Sequence, residues 1–433
     1  MDPLVLKIIA EPFESALESI KLNYLVAASS KECEKSLEIS QGIPLISHLG
    51  FLLYSILFNT FQYFRQKEPE MANGKIRVAV GGQGRSGYGI HCDSLRNDTE
   101  RFDIVATADQ LPERREDAEV DFGAKVYDDW RPMLQEGGFD LFINSLPSPL
   151  HVDASIDALN RGFHLVCEKP MARTVADFDR IVDAATKNDR LIFPFQNKRL
   201  QPYFDKIQVV IASGVLGKIV HIRSSSSGFK RRWDWQTRQD LSGGNLLNTG
   251  PHPVDQALCL FGWDKTPEVF CRMACENPFE GDAENHVTVT LYDPDRIAPQ
   301  IDIDISSMIA FPNPDDYSVS GTCGGLVGGT KKLKWRYFDP EGAPKHDMWL
   351  WSIDRSYVRE DLDWVEETWA IEDEPESLRA GAERFYDNVF DVLKNGAERL
   401  IKPEQTRKQI AVIEECHRQN PLPTRPQSLK ALL

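Results

Sequence analysis

Apolar and polar positions follow two different rhythms along this chain. Between residues 75 and 196, short apolar or β-branched runs alternate with helical spacing. Ile76–Val80, Phe102–Ala108, Lys125–Tyr127, Leu141–Asn144, His164–Cys167 and Leu191–Phe195 predict strands. Helical spacing runs on to about Arg96 after the first of them and returns over Asp128–Gln135, Val152–Arg161 and Thr174–Asn188. This β-α repetition predicts a Rossmann-type, doubly wound parallel sheet, whose ligand contacts lie in the loops after the strand C-termini. Further on, Ile219–Ser224, Glu268–Glu276, His286–Tyr292, Gln300–Met308, Tyr317–Thr322 and Lys332–Phe338 read as strands with few helices between them. Gln300–Ile305 alternates strictly, as a strand with one apolar and one wet face does. Such runs predict a second, α+β domain, closed by helices over Ser377–Leu393 and Pro403–Arg418. Gly321–Gly325 reads as a turn cluster, and Asp361–Trp369 as a surface helix or an interface rim.

The first seventy residues fit neither rhythm. Glu11–Tyr24 has helical apolar spacing, and Ile39–Phe64 carries no charge. That stretch is long enough to cross a bilayer. It also holds Pro44, His48, Asn59 and Gln62, which are costly in lipid. Three readings stand: a helical appendage, a membrane anchor, or a natural start at Met71. The domains expected are therefore an extension over 1–70, a nucleotide-binding domain over 71–196 and a substrate and oligomerisation domain over 197–433.

Charge narrows the function. The formal net charge of −16 argues against nucleic acid as a partner, because phosphates need cations in bulk. The eight cysteines are scattered without a zinc-like set, so no metal is expected. They read as free thiols of a reducing compartment, and the chain is expected to be cytoplasmic unless residues 39–64 anchor it.

The chemistry begins at Gly82-Gln-Gly84-Arg85-Ser86-Gly87, a G-x-G-x-x-G motif between a strand and a helix. Its first Gly permits a tight turn, the second lets backbone approach a diphosphate, and the third lets helix and strand pack closely. The diphosphate would sit on the helix N-terminus. Asp109 ends the next strand, 22 residues after Gly87, where a carboxylate accepts from ribose hydroxyls and repels a 2′-phosphate. That favours NAD over NADP, although Arg114 and Arg115 lie close by, and Asp109 would also serve as a helix cap before Pro112. Ser145, Pro147, His151, Glu168 and Lys169 lie in the later strand-end loops and complete the cofactor contacts expected there.

Glu168-Lys169-Pro170 follows the strand His164–Cys167, and Gly243-Gly-Asn-Leu-Leu-Asn248-Thr-Gly-Pro-His252-Pro-Val-Asp255 comes later. With the glycine motif, these segments closely resemble the Gfo/Idh/MocA family of sugar and polyol dehydrogenases over roughly residues 75–425. The resemblance implies bound NAD or NADP, an open, mainly antiparallel sheet in the second domain, and a homo-oligomer. It also implies roles for Lys169 and for Asp255. The family's Asp-x-x-x-His pair falls on Asn248 and His252, and an amide in place of the acid can bind or orient but cannot act as a base.

The residues themselves agree with this. Asn248 and His252 share a face if their segment is one helix. His252 suits the base that takes a hydroxyl proton, and Lys169 suits the group that stabilises negative charge forming on the oxygen. Either also has a bland role, His252 as a helix cap and Lys169 as a solvated loop residue. Phe229–Thr237 places Arg231 and Arg232 beside Trp233 and Trp235, either as a substrate pocket that grips and stacks on a sugar or as a subunit contact. The function expected is hydride transfer between a nicotinamide cofactor and a hydroxyl or carbonyl of a sugar, polyol or related small molecule. The alternatives are a non-enzymatic nucleotide-binding regulator or scaffold and, third, an NAD-dependent glycosidase.

Overall fold

Ile76–Gly81 (β1) pairs in parallel with Phe102–Ala108 (β2) on one side and Leu141–Asn144 (β4) on the other. The structure is a computed structural model and describes residues 74–424 apart from 349, 352–354, 356, 372 and 373. The helix anticipated at 11–24 and the uncharged stretch 39–64 lie outside the described residues.

Lys125–Tyr127 (β3), His164–Cys167 (β5) and Ile192–Pro194 (β6) complete a six-stranded parallel sheet of order β3-β2-β1-β4-β5-β6. The order reverses direction at β1, so a crevice opens beyond the carboxyl ends of β1 and β4. The helices between the strands are Asp93–Arg96 (α1), Pro112–Phe122 (α2), Trp130–Glu136 (α3), His151–Asn160 (α4) and Val175–Lys187 (α5). Thr174 caps α5 by accepting from the Asp177 N–H, the usual role of a threonine there.

The second sheet has eight strands in the order β14-β13-β12-β11-β7-β10-β9-β8. They are Ile219–Ser227 (β7), Glu268–Ala274 (β8), His286–Tyr292 (β9), Gln300–Ser306 (β10), Tyr317–Gly321 (β11), Gly324–Gly328 (β12), Lys332–Tyr337 (β13) and Val365–Ala370 (β14). All pairings are antiparallel except β7 with β10. Ile301, Ile303 and Ile305 of β10 are buried, while Asp302 and Asp304 pair with His221 and Arg223 on the other face. The strict alternation of that strand is thus a true two-faced pattern.

Two segments differ from the sequence reading. Residues 324–328 form a strand rather than part of a turn cluster. A Cβ at Gly324 would lie 2.2 Å from the Arg336 carbonyl oxygen, so glycine here serves close strand approach. Val365–Ala370 is an edge strand, not a surface helix, because it pairs along β13 from Tyr337 to Lys332.

Pro202–Ala212 (α6), Asn245–Asn248 (α7) and Pro251–Phe261 (α8) precede β8, and α6 and α8 supply one face of the core under this sheet. The last two helices, Glu374–Asn395 (α9) and Pro403–Gln419 (α10), return to the first half. Phe385, Tyr386 and Val389 of α9 join the core of Val78, Val80 and Phe102, and Ile410 of α10 joins the core on the opposite face. The parallel sheet is therefore covered partly by chain from the C-terminus. The described residues form one compact unit.

Candidate active site

The turn after β1 has the geometry its glycines suggest. Gly82 has φ +91°, and a Cβ there would lie 2.4 Å from the Ser145 carbonyl oxygen. A Cβ at Gly87 would lie 1.8 Å from the Gly82 carbonyl oxygen, so strand and helix meet with no room between them. Gly84 differs: only Arg114 Nη1, at 3.7 Å, comes near its Cβ position. That side is open to a ligand's diphosphate, beside Arg85, Ser86 and the orphan N–H groups that begin a helix. The residues present fit a dinucleotide.

Asp109 closes the far side of this turn. Its Oδ2 accepts from the Gln83 N–H at 2.8 Å and from Arg114 at 3.3 Å, and its Oδ1 from the Leu111 N–H at 3.0 Å. Arg115 is engaged with the carbonyls of Asp109 and Gln110. Ser145 donates to the carbonyls of Gly81 and Gly82, which ties the loop after β4 to the glycine turn. Pro147 is exposed on that same loop. His151, expected to touch the cofactor, is buried instead. Its ring nitrogens lie 2.8 Å and 2.7 Å from the carbonyl oxygens of Pro170 and Leu146, so it clamps two strand-end loops together.

The turn after β5 carries Glu168 and Lys169. Lys169 donates through Nζ to the backbone carbonyl of Asn248 at 2.6 Å. This contact joins the two halves of the site. Burial pulls the Lys169 pKa down, Glu168 opposes that, and Arg85 and Arg232 add to it.

Asn248 and His252 do not share one helix. Asn248 ends α7, the N–H groups of Thr249 and Gly250 both bond to the Asn245 carbonyl, and α8 starts afresh at Pro251. Pro251 and Pro253 have no N–H to continue the ladder. A Cβ at Gly250 would lie 2.2 Å from the Leu246 carbonyl oxygen, so the break also requires that glycine. His252 Nδ1 is buried without a hydrogen-bond partner. Burial first, then Lys198 and Lys169, hold the His252 pKa well below its ordinary 6.5. At neutral pH the ring is therefore uncharged and able to take a proton.

Lys198 is a site residue that the sequence reading did not name. It stands on the 3-10 turn Asn197–Leu200 directly after β6, and its strand-end position was the available signal. Burial and the neighbouring Lys169 depress its pKa.

Asp255, expected at the substrate, is buried. Both its oxygens face Arg199, at 2.8 Å and 2.5 Å, in a buried ion pair. The Phe229–Thr237 segment divides. Arg232 is near enough to act on Lys169 and pairs with Asp234 at 2.7 Å. Arg231 and Trp233 gather instead around Phe279, and Trp233 is 78% exposed. Trp235 opens a 3-10 turn, half-buried.

Residues 76–195 match the GFO/IDH/MocA oxidoreductase family with its NAD-binding Rossmann fold, and residues 204–327 match the GFO/IDH/MocA C-terminal domain. The chain belongs to this family. An uncharacterized oxidoreductase of Schizosaccharomyces pombe is 29% identical over 43% of the chain and 52% of its own length. The NADP-dependent scyllo-inositol 2-dehydrogenase of Bacillus subtilis is 28% identical over 44% of the chain and 53% of its own. The chain thus spans about half the length of these two curated relatives. The WlbA dehydrogenase of Bordetella pertussis, solved with NADH and UDP-GlcNAcA, has the same fold, with a TM-score of 0.64 at 21% identity over 82% of this chain and 99% of that one. The family thereby accounts for the parallel sheet, the glycine turn and the large second sheet together.

Proposed function

We propose that this protein is an NAD(P)-dependent oxidoreductase acting on a hydroxyl or carbonyl group of a sugar, polyol or related small molecule. The observation that carries this reading is the hydrogen bond from Lys169 to the carbonyl of Asn248, four residues before His252 with its buried Nδ1, beside an open glycine turn. In the oxidative direction, His252 takes the proton from the substrate hydroxyl. In this reading Lys169, steadied on the Asn248 carbonyl, holds the substrate oxygen and stabilises charge developing on it. Lys198 adds positive potential to the same cleft. In this reading Arg232, whose charge reaches Lys169, orients the substrate. A nicotinamide nucleotide on the Gly82–Gly87 turn supplies the hydride acceptor. The carboxylate of Asp109 favours NAD over NADP. The scyllo-inositol dehydrogenase among the relatives supports a polyhydroxylated substrate.

A second reading has one residue in its favour. Asn248 stands where the family has an acid, which suits a member that senses a nucleotide without turnover. Retention of Lys169 and His252 favours the enzyme.

Purification from Met71, with mass and absorbance of any bound nucleotide, tests the first requirement. A panel of sugars and polyols with NAD and with NADP, read at the reduced-nicotinamide band, tests the second. Lys169→Ala and His252→Ala are expected to abolish turnover while nucleotide binding remains measurable. Undiminished turnover in both variants would refute the mechanism, and absence of nucleotide binding would refute the function.

A further inference from the structure

We propose that Tyr386 and His91 are positioning residues that act on Lys169 through Glu168; the proposal rests on the reading of Lys169 just given. The two sit outside the substrate cleft. His91 lies in the π-helical segment Gly87–Cys92 that follows the glycine turn, and its side chain is fully buried. Single π-turns of this kind often occur at functional sites. Tyr386 comes from α9, 295 positions along the chain, and its hydroxyl lies 2.6 Å from His91 Nδ1. The other ring nitrogen, Nε2, lies 3.5 Å from Glu168 Oε1. That is long for a hydrogen bond, and it is best described as an electrostatic contact between buried groups. Glu168 Oε2 accepts from the Lys169 N–H at 2.9 Å, and Lys169 reaches the Asn248 carbonyl.

The proton inventory along this line is consistent. Burial raises the Tyr386 pKa well above 10, so the hydroxyl keeps its proton and can donate to Nδ1. The tautomer this assigns to His91 carries its proton on Nε2, facing the carboxylate. Burial alone would push the Glu168 carboxyl up, but the facing His91 ring, the Lys169 charge and the Lys169 backbone N–H hold it below its ordinary value, so it stays ionised. An ionised Glu168 is then the group that opposes the loss of charge on Lys169, against burial, Arg85 and Arg232. Lys198, His252 and the buried His151 are the other titratable groups whose charge interactions reach Lys169. Phe195 and Phe385 seal the line from water: Phe195 packs 4.3 Å from the His91 ring and 4.8 Å from Phe385.

The ring of His91 also has an obvious packing role, so the test needs a readout that packing alone would not move. Reaction of Lys169 with a small amine-reactive anhydride, followed by peptide mass spectrometry across pH, reports its ammonium directly and needs no turnover. Tyr386→Phe removes one oxygen and keeps the ring. His91→Leu removes both nitrogens, and His91→Gln restores a donor towards Glu168.

Tyr386→Phe and His91→Leu are expected to move the Lys169 labelling midpoint to lower pH and to lower kcat about tenfold, with KM and NADH binding little changed. His91→Gln is expected to recover much of both. Labelling profiles identical to the wild type in Tyr386→Phe and His91→Leu would overturn the proposal. So would a loss of kcat that only follows a loss of NADH binding and melting temperature. If His91→Leu does not fold, Tyr386→Phe decides by the same readings. A wild-type protein that labels at Lys169 but oxidises none of the panel would sink the proposed function, and the labelling shift would still decide the role of Tyr386 and His91.

Discussion

The Lys169 ammonium lies 2.6 Å from the backbone carbonyl oxygen of Asn248, not from its side chain. Asn248 therefore holds the lysine through an atom that every residue type provides. Asn248→Ala is accordingly expected to keep nucleotide binding and to lose far less turnover than Lys169→Ala. Asn248→Asp places a carboxylate near Lys169 and His252. It is expected to move the acid limb of the rate profile upward by about one pH unit. Steady-state rates of the three variants between pH 5 and 9 check both statements.

The neutral state of His252 also sets a pH dependence. Its folded-state pKa lies well below the ordinary value of 6.5. The folded protein thus resists a proton that the unfolded chain accepts, so stability is present above about pH 6.5 and declines as pH falls below it. The acid limb of kcat/KM is expected below pH 6.5 for the same reason. In His252→Gln, the melting temperature should fall less steeply between pH 7 and 5 than in the wild type, as differential scanning calorimetry would show.

Gly84 and Gly87 should separate binding from folding. Alanine at Gly87 meets the Gly82 carbonyl at 1.8 Å and is expected to disrupt the turn itself. Alanine at Gly84 meets nothing closer than 3.7 Å and should fold normally, yet it fills the side a diphosphate would approach. Circular dichroism should be unchanged in Gly84→Ala, while NADH fluorescence titration shows weaker binding by about tenfold or more.

In the function proposed above, Asp109 would join the glycine turn to cofactor choice. Its Oδ2 accepts from the Gln83 N–H, so Asp109→Ala loosens the turn as well as removing the ribose partner. Affinity for NAD is expected to fall about tenfold or more, and affinity for NADP much less, because the charge that repels a 2′-phosphate is gone. Binding titrations with both nucleotides give the ratio.

Asp255→Asn tests a structural role instead. Removing the charge leaves Arg199 buried without its ion partner, at a cost of about 3–5 kcal/mol. The expected result is a large drop in denaturant midpoint without a selective change in KM. A selective rise in KM at unchanged stability would return Asp255 to the substrate.

What the sequence by itself determined is local. Strands with period two, the glycine turn and the strand-end positions of Asp109, Ser145 and Lys169 are written in neighbouring residues, because backbone sterics and short-range spacing decide them. β12 and β14 were missed for a matching reason: one is glycine-rich and the other is charged, and cross-strand pairing with β13 makes each a strand. Only the tertiary structure decided which polar groups meet. Asp255 meets Arg199, His151 clamps two loops, Lys169 reaches the carbonyl of Asn248, and Tyr386 reaches His91 from 295 residues away. A buried charge or hydrogen-bond donor must find its partner wherever the fold brings one close, and separation along the chain carries no signal of that.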